Sequence, residues 1–380
     1  MRISILGGGP AGLYFALLMK RREPDHEIAI LERDGPNDTF GWGIVFSDQT
    51  FDYLRNNDAP SHDAITSACQ KWDNVDIVHR GETVSVRGNK FSGIARLKFL
   101  QILHRRCTEL GVDLRFNAPV NDLGALPEAD LRVGADGANS LVRRSVALPF
   151  RRDQLSIATG FFARGTTSRE IVIEMTADPP GYIWSFPRPD HLAIGICAQA
   201  DGGASAALLR ARTLQWIRTT GIAGDAPLHE YSWPIPSLAA QDFGRLTLAG
   251  PLWSLTGDAA GLVDPITREG IFFAIASGEW SADAIVAGGP PETVARTYTA
   301  RVHDEAAPDL ARAAQLKAGF FRPAFGSLMV RALQESDSIR AVMADLVAGE
   351  QSYRSLKWRL AKTMEMRLAW KCIRRLKFEA

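Results

Sequence analysis

Cysteine is scarce in this chain, and the few present do not cluster. Cys69, Cys107, Cys197 and Cys372 stand far apart and form no CxxC, which argues against a zinc knuckle and against a redox disulfide pair. No metal site is expected, and four scattered thiols suit a reducing cytoplasm. An uninterrupted apolar run near the roughly 20 residues needed to span a bilayer is missing as well. So is an excess of charge of either sign: 44 basic and 43 acidic residues leave a formal net charge of +1, no basis for a nucleic-acid partner. The chain opens MRISIL without a charged and then apolar leader, so a cytoplasmic location is expected. Internal repeats and low-complexity linkers are also lacking. What remains is a chain of 380 residues, 46% hydrophobic, with room for a sizeable core and two domains.

The first informative stretch is RISIL at 2–6, a β-branched run that feeds GGGPAG at 7–12 and then the helical pattern LYFALLMKRR. In a strand, glycine turn and helix of this kind, Gly7 permits the tight turn and Gly9 lets the backbone approach a pyrophosphate. Gly12 lets the helix pack against the strand. The free N–H groups at the helix start then favour the phosphate charge. A second strand, EIAILERD, ends in Glu32, twenty residues past Gly12, where a carboxylate can accept both hydroxyls of a ribose. Ala11 and Arg33 complete this first set of cofactor-binding candidates. An adenine dinucleotide is expected, without a 2′-phosphate, which Glu32 would repel. FAD and NAD both satisfy the pattern.

Two further motifs bear on that choice. LRVGADGANSLVRR at 131–144 reads as a buried strand, a polar turn at Asp136 and Gly137, and a helix beginning near Ser140. GDAAGLVDPITREGI at 257–271 reads as a glycine turn running into an apolar helix. The first resembles the GADGxxSxVR motif of class A flavoprotein monooxygenases and their reductase relatives, with Gly134, Asp136, Gly137, Ser140 and Arg143 as the matching residues. The second resembles the same family's third motif. The resemblance implies FAD. It implies that Asp258 holds the ribityl chain, with Ala259, Gly270 and Ile271 beside it, and that the helix after Gly270 points its positive end at the flavin. Arg96, at the start of the amphipathic stretch ARLKFLQIL, either matches a position where the family often places an arginine near the FAD phosphates or is a surface arginine at a helix start. No second GxGxxG is present, so NAD(P)H is expected only as a transient electron donor.

The family resemblance implies a p-hydroxybenzoate-hydroxylase-like α/β fold, in which a Rossmann-type FAD domain carries an antiparallel substrate sheet. On this reading the FAD domain is discontinuous, over 1–70, 93–155 and 245–300. The substrate sheet takes 71–92 and 156–244, where REIVIEM, YIWSFP and HLAIGICA alternate. Helices fill 301–380, with Pro308 and Pro323 as starts. Tyr182, Trp184 and Phe186 would share one face of a strand, where they either form an aromatic wall of the substrate pocket or pack as core of the sheet. Asp48 reads as a helix N-cap and His191 as a strand-exit surface residue, and neither is assigned a catalytic role. No catalytic acid or base is identified.

Beyond the three motifs the resemblance divides. DTFGWGIVFSDQTFDYLR and FSGIARLKFLQIL are similar to salicylyl-CoA and aminobenzoyl-CoA type hydroxylases, which implies hydroxylation of an aromatic or aryl-thioester substrate through a C4a-hydroperoxyflavin. GYIWSFPRPDHLAIGIC and GDAAGLVDPITREGI resemble segments of geranylgeranyl reductases, which implies reduction of double bonds in a polyprenyl lipid. In that second comparison Arg268 stands where glycine is commoner. The hydroxylase is ranked first, the reductase second, and a flavin carrier without turnover third. Finally, the run at 353–378 is basic and amphipathic. Such a helix either lies on an anionic membrane as a peripheral contact or docks on the protein with a solvated cationic face.

Overall fold

In the computed structural model, residues 1–38, 44–203, 205–347 and 349–363 are described. Two sheets organise them. The first has the order β13 (Ala249–Gly250), β14 (Trp253–Leu255), β7 (Leu131–Gly134), β1 (Arg2–Leu6), β2 (Glu27–Leu31) and β6 (Asp113–Arg115). All its pairings are parallel except the short β13–β14 hairpin at one edge. Parallel strands need cover on both faces. The helix α1 (Pro10–Arg22) supplies it on one side, packed in turn against α8 (Ile271–Val286) and α4 (Arg96–Glu109). α1 starts at an extended Gly9 with Pro10 in its first turn and ends on Lys20, Arg21 and Arg22, a charge order that suits the helix dipole. Its residues from Pro10 to Met19 are buried, and Gly278 of α8 approaches so closely that an added Cβ would lie 3.0 Å from the Ala11 carbonyl.

The second sheet runs β12 (Leu228–Pro236), β8 (Leu155–Arg164), β11 (His191–Gln199), β10 (Pro180–Pro187), β9 (Ile171–Ala177), β4 (Gln70–His79), β5 (Glu82–Ile94) and β3 (Ile44–Phe46). It stands over the first sheet as a roof. The expectation of an antiparallel sheet needs one correction, because β4 and β9 pair in parallel. These strands come from chain segments separated by α4, β6, β7 and α5 (Leu141–Val146), and a crossover of that length allows parallel pairing where a hairpin would forbid it. The outer face of the roof buries Phe161, Ile183, Ile194 and Ile196 under Leu209, Trp216 and Ile217 of α6 (Ala206–Thr220).

The remaining helices are α2 (Asp48–Asn57), α3 (Ala59–Thr66), α7 (Ala240–Phe243), α9 (Pro291–Glu305), α10 (Ala307–Phe320), α11 (Pro323–Glu335), α12 (Asp337–Val347) and α13 (Tyr353–Lys362). Pro308 and Pro323 stand in the first turns of α10 and α11, as expected. Asp48 is not the cap of α2. Ser47 is, its hydroxyl accepting from the Thr50 N–H, and Asp48 occupies the first turn where its charge still suits the dipole. His191 begins β11 where a strand exit was expected, and its ring is held by Asp190 at 2.7 Å. No described helix is long and apolar enough to cross a membrane. Of the basic C-terminal run, α13 docks on α10 and α12 through a buried Tyr353, and residues 364–378 lie outside the described residues, as do 41–43 of GWGIVFSD.

Candidate functional site

The three motifs converge at the C-terminal ends of β1, β7 and β14, the usual ligand side of a doubly wound sheet. There the glycines of the first motif divide by task. Gly7 has φ +104°, and a Cβ on it would lie 2.4 Å from the Ala135 carbonyl oxygen. A Cβ on Gly12 would lie 2.3 Å from the Gly7 carbonyl oxygen. Both are therefore required by protein packing against the second motif and the turn itself. Gly9 differs: its nearest neighbour would be the Ala135 carbonyl oxygen at 4.0 Å, so it faces open space at the mouth of α1.

Glu32 braces this loop. Its Oε2 accepts from the Gly8 N–H at 2.7 Å and its Oε1 from the Asp34 N–H at 3.0 Å. Burial raises its pKa, with those two backbone bonds opposing. Arg33 lies on the exposed side, paired with Asp34 at 3.1 Å and 5.8 Å from the Trp233 ring of the roof. In the second motif, Asp136 Oδ2 accepts from the Leu141 N–H at 2.6 Å, while Oδ1 is buried without a partner. Ser140 caps α5 by accepting from the Arg143 N–H at 2.9 Å. Arg143 then crosses to the third motif, donating to the Ala259 carbonyl at 3.2 Å, and burial pulls its guanidinium down to about 10.

The third motif packs on the first. A Cβ on Gly257, at φ +57°, would touch the Ala11 methyl at 3.0 Å, so Ala11 and the fully buried Ala259 join the motifs by packing. Asp258 lies across the start of α8, its Oδ1 within 3.2 Å of where a Gly270 Cβ would be. Burial pushes the Asp258 carboxyl up to about 6, and the Arg96 cation opposes that shift. Arg96 is pulled down by burial and held up by Asp258 and then Glu32, so these three charges share one space.

A consistent pattern of exposure follows. Gly9, Glu32, Arg96, Asp136, Gly137, Asp258, Gly270 and Ile271 are half-open, while their neighbours Leu6, Ala11, Val133, Leu255 and Ala260 are buried. An adenine dinucleotide fits this strip on two observations. Gly9 offers uncovered backbone at a helix N-terminus, and Asp136 keeps an unsatisfied buried oxygen. The start of α8 is less free than expected, because Glu269 Oε1 already accepts from the Phe272 N–H at 3.0 Å. Burial pushes the Glu269 carboxyl up to about 7.

In the second sheet, Tyr182, Trp184 and Phe186 lie on one face of β10 as their alternation requires. Tyr182 and Trp184 are 5.6 Å apart between ring centroids, and Trp184 and Phe186 stack at 6.0 Å. The Tyr182 hydroxyl donates to the Thr267 carbonyl at 2.7 Å, tying the roof to the third motif. Three features of this region escaped the sequence reading. Phe321, after α10, stacks on Tyr182 at 6.3 Å and lengthens the row. Arg188 is fully buried, donates to the Pro187 carbonyl at 2.7 Å, sits 5.1 Å from the Trp72 ring and leaves Nε and Nη2 unpartnered. Extending the alternation 182, 184, 186 by one step would have found it. The third is Lys317, which sits in register with the buried Leu310 and Ala313 of α10, a cation in an apolar stripe.

No family model matches the chain. Among curated proteins it is 37% identical over 167 residues to a salicyloyl-CoA 5-hydroxylase of Streptomyces sp, covering 44% of this chain and 32% of that one. It is 34% identical over 208 residues to a 3-hydroxy-4-methyl-anthranilyl-[aryl-carrier protein] 5-monooxygenase of Streptosporangium sibiricum, covering 54% and 52%. It is 31% identical over 171 residues to a chloroplastic geranylgeranyl diphosphate reductase of Nicotiana tabacum, covering 42% and 34%. The chain thus spans about a third to a half of the length of these relatives. Among solved structures, a geranylgeranyl bacteriochlorophyll reductase-like protein of Thermoplasma acidophilum superimposes with a TM-score of 0.75 at 18% identity, over 95% of this chain and 98% of that one. A flavin-dependent brominase superimposes with a TM-score of 0.68 at 17% identity, over 96% and 100%. The fold is that of flavin-dependent hydroxylases and geranylgeranyl-reductase-like proteins, and sequence relatives of both kinds are present.

Proposed function

We propose that this chain is an FAD-dependent oxidoreductase, and that it hydroxylates an aromatic or aryl-thioester substrate with NAD(P)H as transient reductant. The observation that supports the reading is the strip of half-open motif residues joined, through the Tyr182–Thr267 hydrogen bond, to a strand that carries a row of aromatic rings, an arrangement that would hold a flavin on one side and a flat substrate on the other. FAD would rest on Gly9, Glu32, Arg96, Asp136 and Asp258, and when bound it would supply the oxygen and electron-transfer chemistry. The chain's own residues would position the substrate and exclude water. Tyr182 and Phe186 are half-buried and would offer their rings to an aromatic group, while Trp184, 4% exposed, packs between them against Ala158 and Cys197 and would stiffen that wall. The identity to the two aryl-thioester hydroxylases supports the ranking.

A second reading, reduction of carbon–carbon double bonds in a polyprenyl lipid, is supported by the superposition on the reductase-like structure over 95% of the chain. The same aromatic row would suit a prenyl chain. Product mass separates the two. Purified yellow protein is supplied with NADPH or NADH under isotopically heavy dioxygen, with aryl-CoA thioesters in one arm and geranylgeranyl diphosphate in the other. Hydroxylation gives an aryl product carrying the heavy oxygen. A prenyl product that gains hydrogen and no oxygen, also formed without dioxygen, would replace the first reading by the second. A colourless protein that binds no added FAD would end both.

A further inference from the structure

At the Tyr182 end of the aromatic row the structure places two cations together. Arg268 has φ +64°, the left-handed region that costs a non-glycine residue about 1 kcal/mol or more. From that backbone its Nη1 donates to Ser237 Oγ, and its Nε is buried without a partner. Lys317 Nζ donates to the same Ser237 Oγ at 3.1 Å and to Gln199 Oε1 at 3.0 Å. Ser237 in turn donates to Gln199 Oε1 at 2.9 Å. Every partner in this network is neutral. Among the described residues no carboxylate lies within ion-pairing distance of Arg268 or Lys317. Asp242 is turned to the Ala239 N–H and Arg151, and Asp264 accepts from the N–H groups of Ile266 and Thr267. Asp201 and Asp242 act on Lys317, and Asp264 on Arg268, only from beyond ion-pairing distance.

Two half-buried cations sharing one hydroxyl repel each other, and the cost shows on Lys317: burial first, then the Arg268 cation, pull its ammonium down to about 8. A strained backbone and a pair of cations with no ion-paired carboxylate, beside the aromatic row, have a physical reason if an anion completes the cluster. The position fits, since Thr267, next to Arg268, receives the Tyr182 hydroxyl, and Phe321, which stacks on Tyr182, follows the helix that carries Lys317. We infer that Arg268 and Lys317 form a subsite for a phosphate or diphosphate group of the substrate, whose apolar part lies along the row Phe321, Tyr182, Trp184 and Phe186. The inference rests on the reading of this region as the substrate side of a flavin site. A phosphate-bearing substrate is common to both chemistries above, as a coenzyme A thioester or as a prenyl diphosphate.

The test is calorimetric titration of the flavin-loaded protein with inorganic pyrophosphate, for the native sequence, Arg268→Gly and Lys317→Met. Glycine is chosen because it adopts the left-handed backbone freely. The native protein should bind, and each variant should weaken binding at least about tenfold, the loss of roughly one charge-assisted hydrogen bond, with flavin absorbance and melting temperature retained. No binding at millimolar pyrophosphate, or equal affinity in all three proteins, would overturn the subsite. Competition then names the source: displacement of pyrophosphate by coenzyme A indicates a thioester, and displacement by geranylgeranyl diphosphate indicates a prenyl substrate. Displacement by neither would remove the pair from substrate binding. Should the protein carry no flavin, the oxidoreductase reading fails by itself, and the three titrations of the colourless protein still decide whether these two cations hold an anion.

Discussion

The glycines of the first motif allow a prediction that separates folding from ligand binding within six residues. Alanine at Gly12 would bring a Cβ to 2.3 Å from the Gly7 carbonyl oxygen and to 3.1 Å from both the Ala135 and Ile5 side chains. None of these can retreat, because Ile5 is in the central strand and Ala135 holds the second motif against the turn. Overpacking of that kind costs about 1–3 kcal/mol and exceeds the roughly 1 kcal/mol that alanine gains over glycine inside a helix. Alanine at Gly9 meets nothing nearer than 4.0 Å, in an extended backbone at φ −79° that any residue adopts. Its stability cost is that of a poorer N-cap, about 1 kcal/mol. Its effect on FAD should be much larger. One or two charge-assisted hydrogen bonds to a phosphate, at about 1.5–3 kcal/mol each, correspond to a loss of affinity of roughly tenfold to a thousandfold or more. Urea unfolding followed by circular dichroism, together with the flavin-to-protein absorbance ratio, reads both quantities. Gly9→Ala should fold and be pale, and Gly12→Ala should unfold at lower urea. A Gly9→Ala protein as yellow as the native one would refute the assignment of that backbone to a phosphate, and a Gly12→Ala protein of native stability would refute the packing argument.

Three further outcomes are expected. Asp258→Ala should lower FAD occupancy while leaving the fold intact, checked by the same absorbance ratio. Glu269→Gln should flatten the pH dependence of stability in the flavin-free protein: a carboxyl raised to about 7 contributes stability below its unfolded value near 4.5 that is lost as pH rises through 7. Between pH 6 and 8 this amounts to roughly 1 kcal/mol, present in the native sequence and absent in the variant, as measured by urea unfolding. Arg268→Gly should be no less stable than the native protein, because relief of the left-handed strain and of the repulsion with Lys317 offsets the hydrogen bond lost to Ser237. A clear drop in its urea midpoint would show that the Arg268 contacts hold the fold.

Much of the first sheet and its loop cluster was legible because its constraints are local. A strand, a glycine turn, a helix and an acid twenty residues on are fixed by backbone geometry, and their order in the chain survives into the site. There the three glycines already read as having separate tasks, and the structure supplies the neighbours that set them apart: the Ala135 carbonyl oxygen against Gly7, the Gly7 carbonyl oxygen against Gly12, and nothing nearer than 4.0 Å to Gly9. The roof was legible as strands but not as a surface. Its one parallel junction joins segments separated by an entire motif, and no local pattern encodes such a pairing. The residues with most to say about substrate were hidden for the same reason. Phe321, Lys317, Ser237 and Gln199 come from a helix end, a helix interior, a loop and a strand end, and each looks ordinary alone. Arg268 is the exception that shows what could be read. The sequence offered an arginine where the reductase motif prefers glycine, and the structure gives the reason for that preference, a backbone in the left-handed region. A residue that accepts such strain carries a side chain the position would otherwise forgo. With Lys317 across from it and no carboxylate to neutralise the pair, the departure from glycine is better explained by a negatively charged substrate than by the fold.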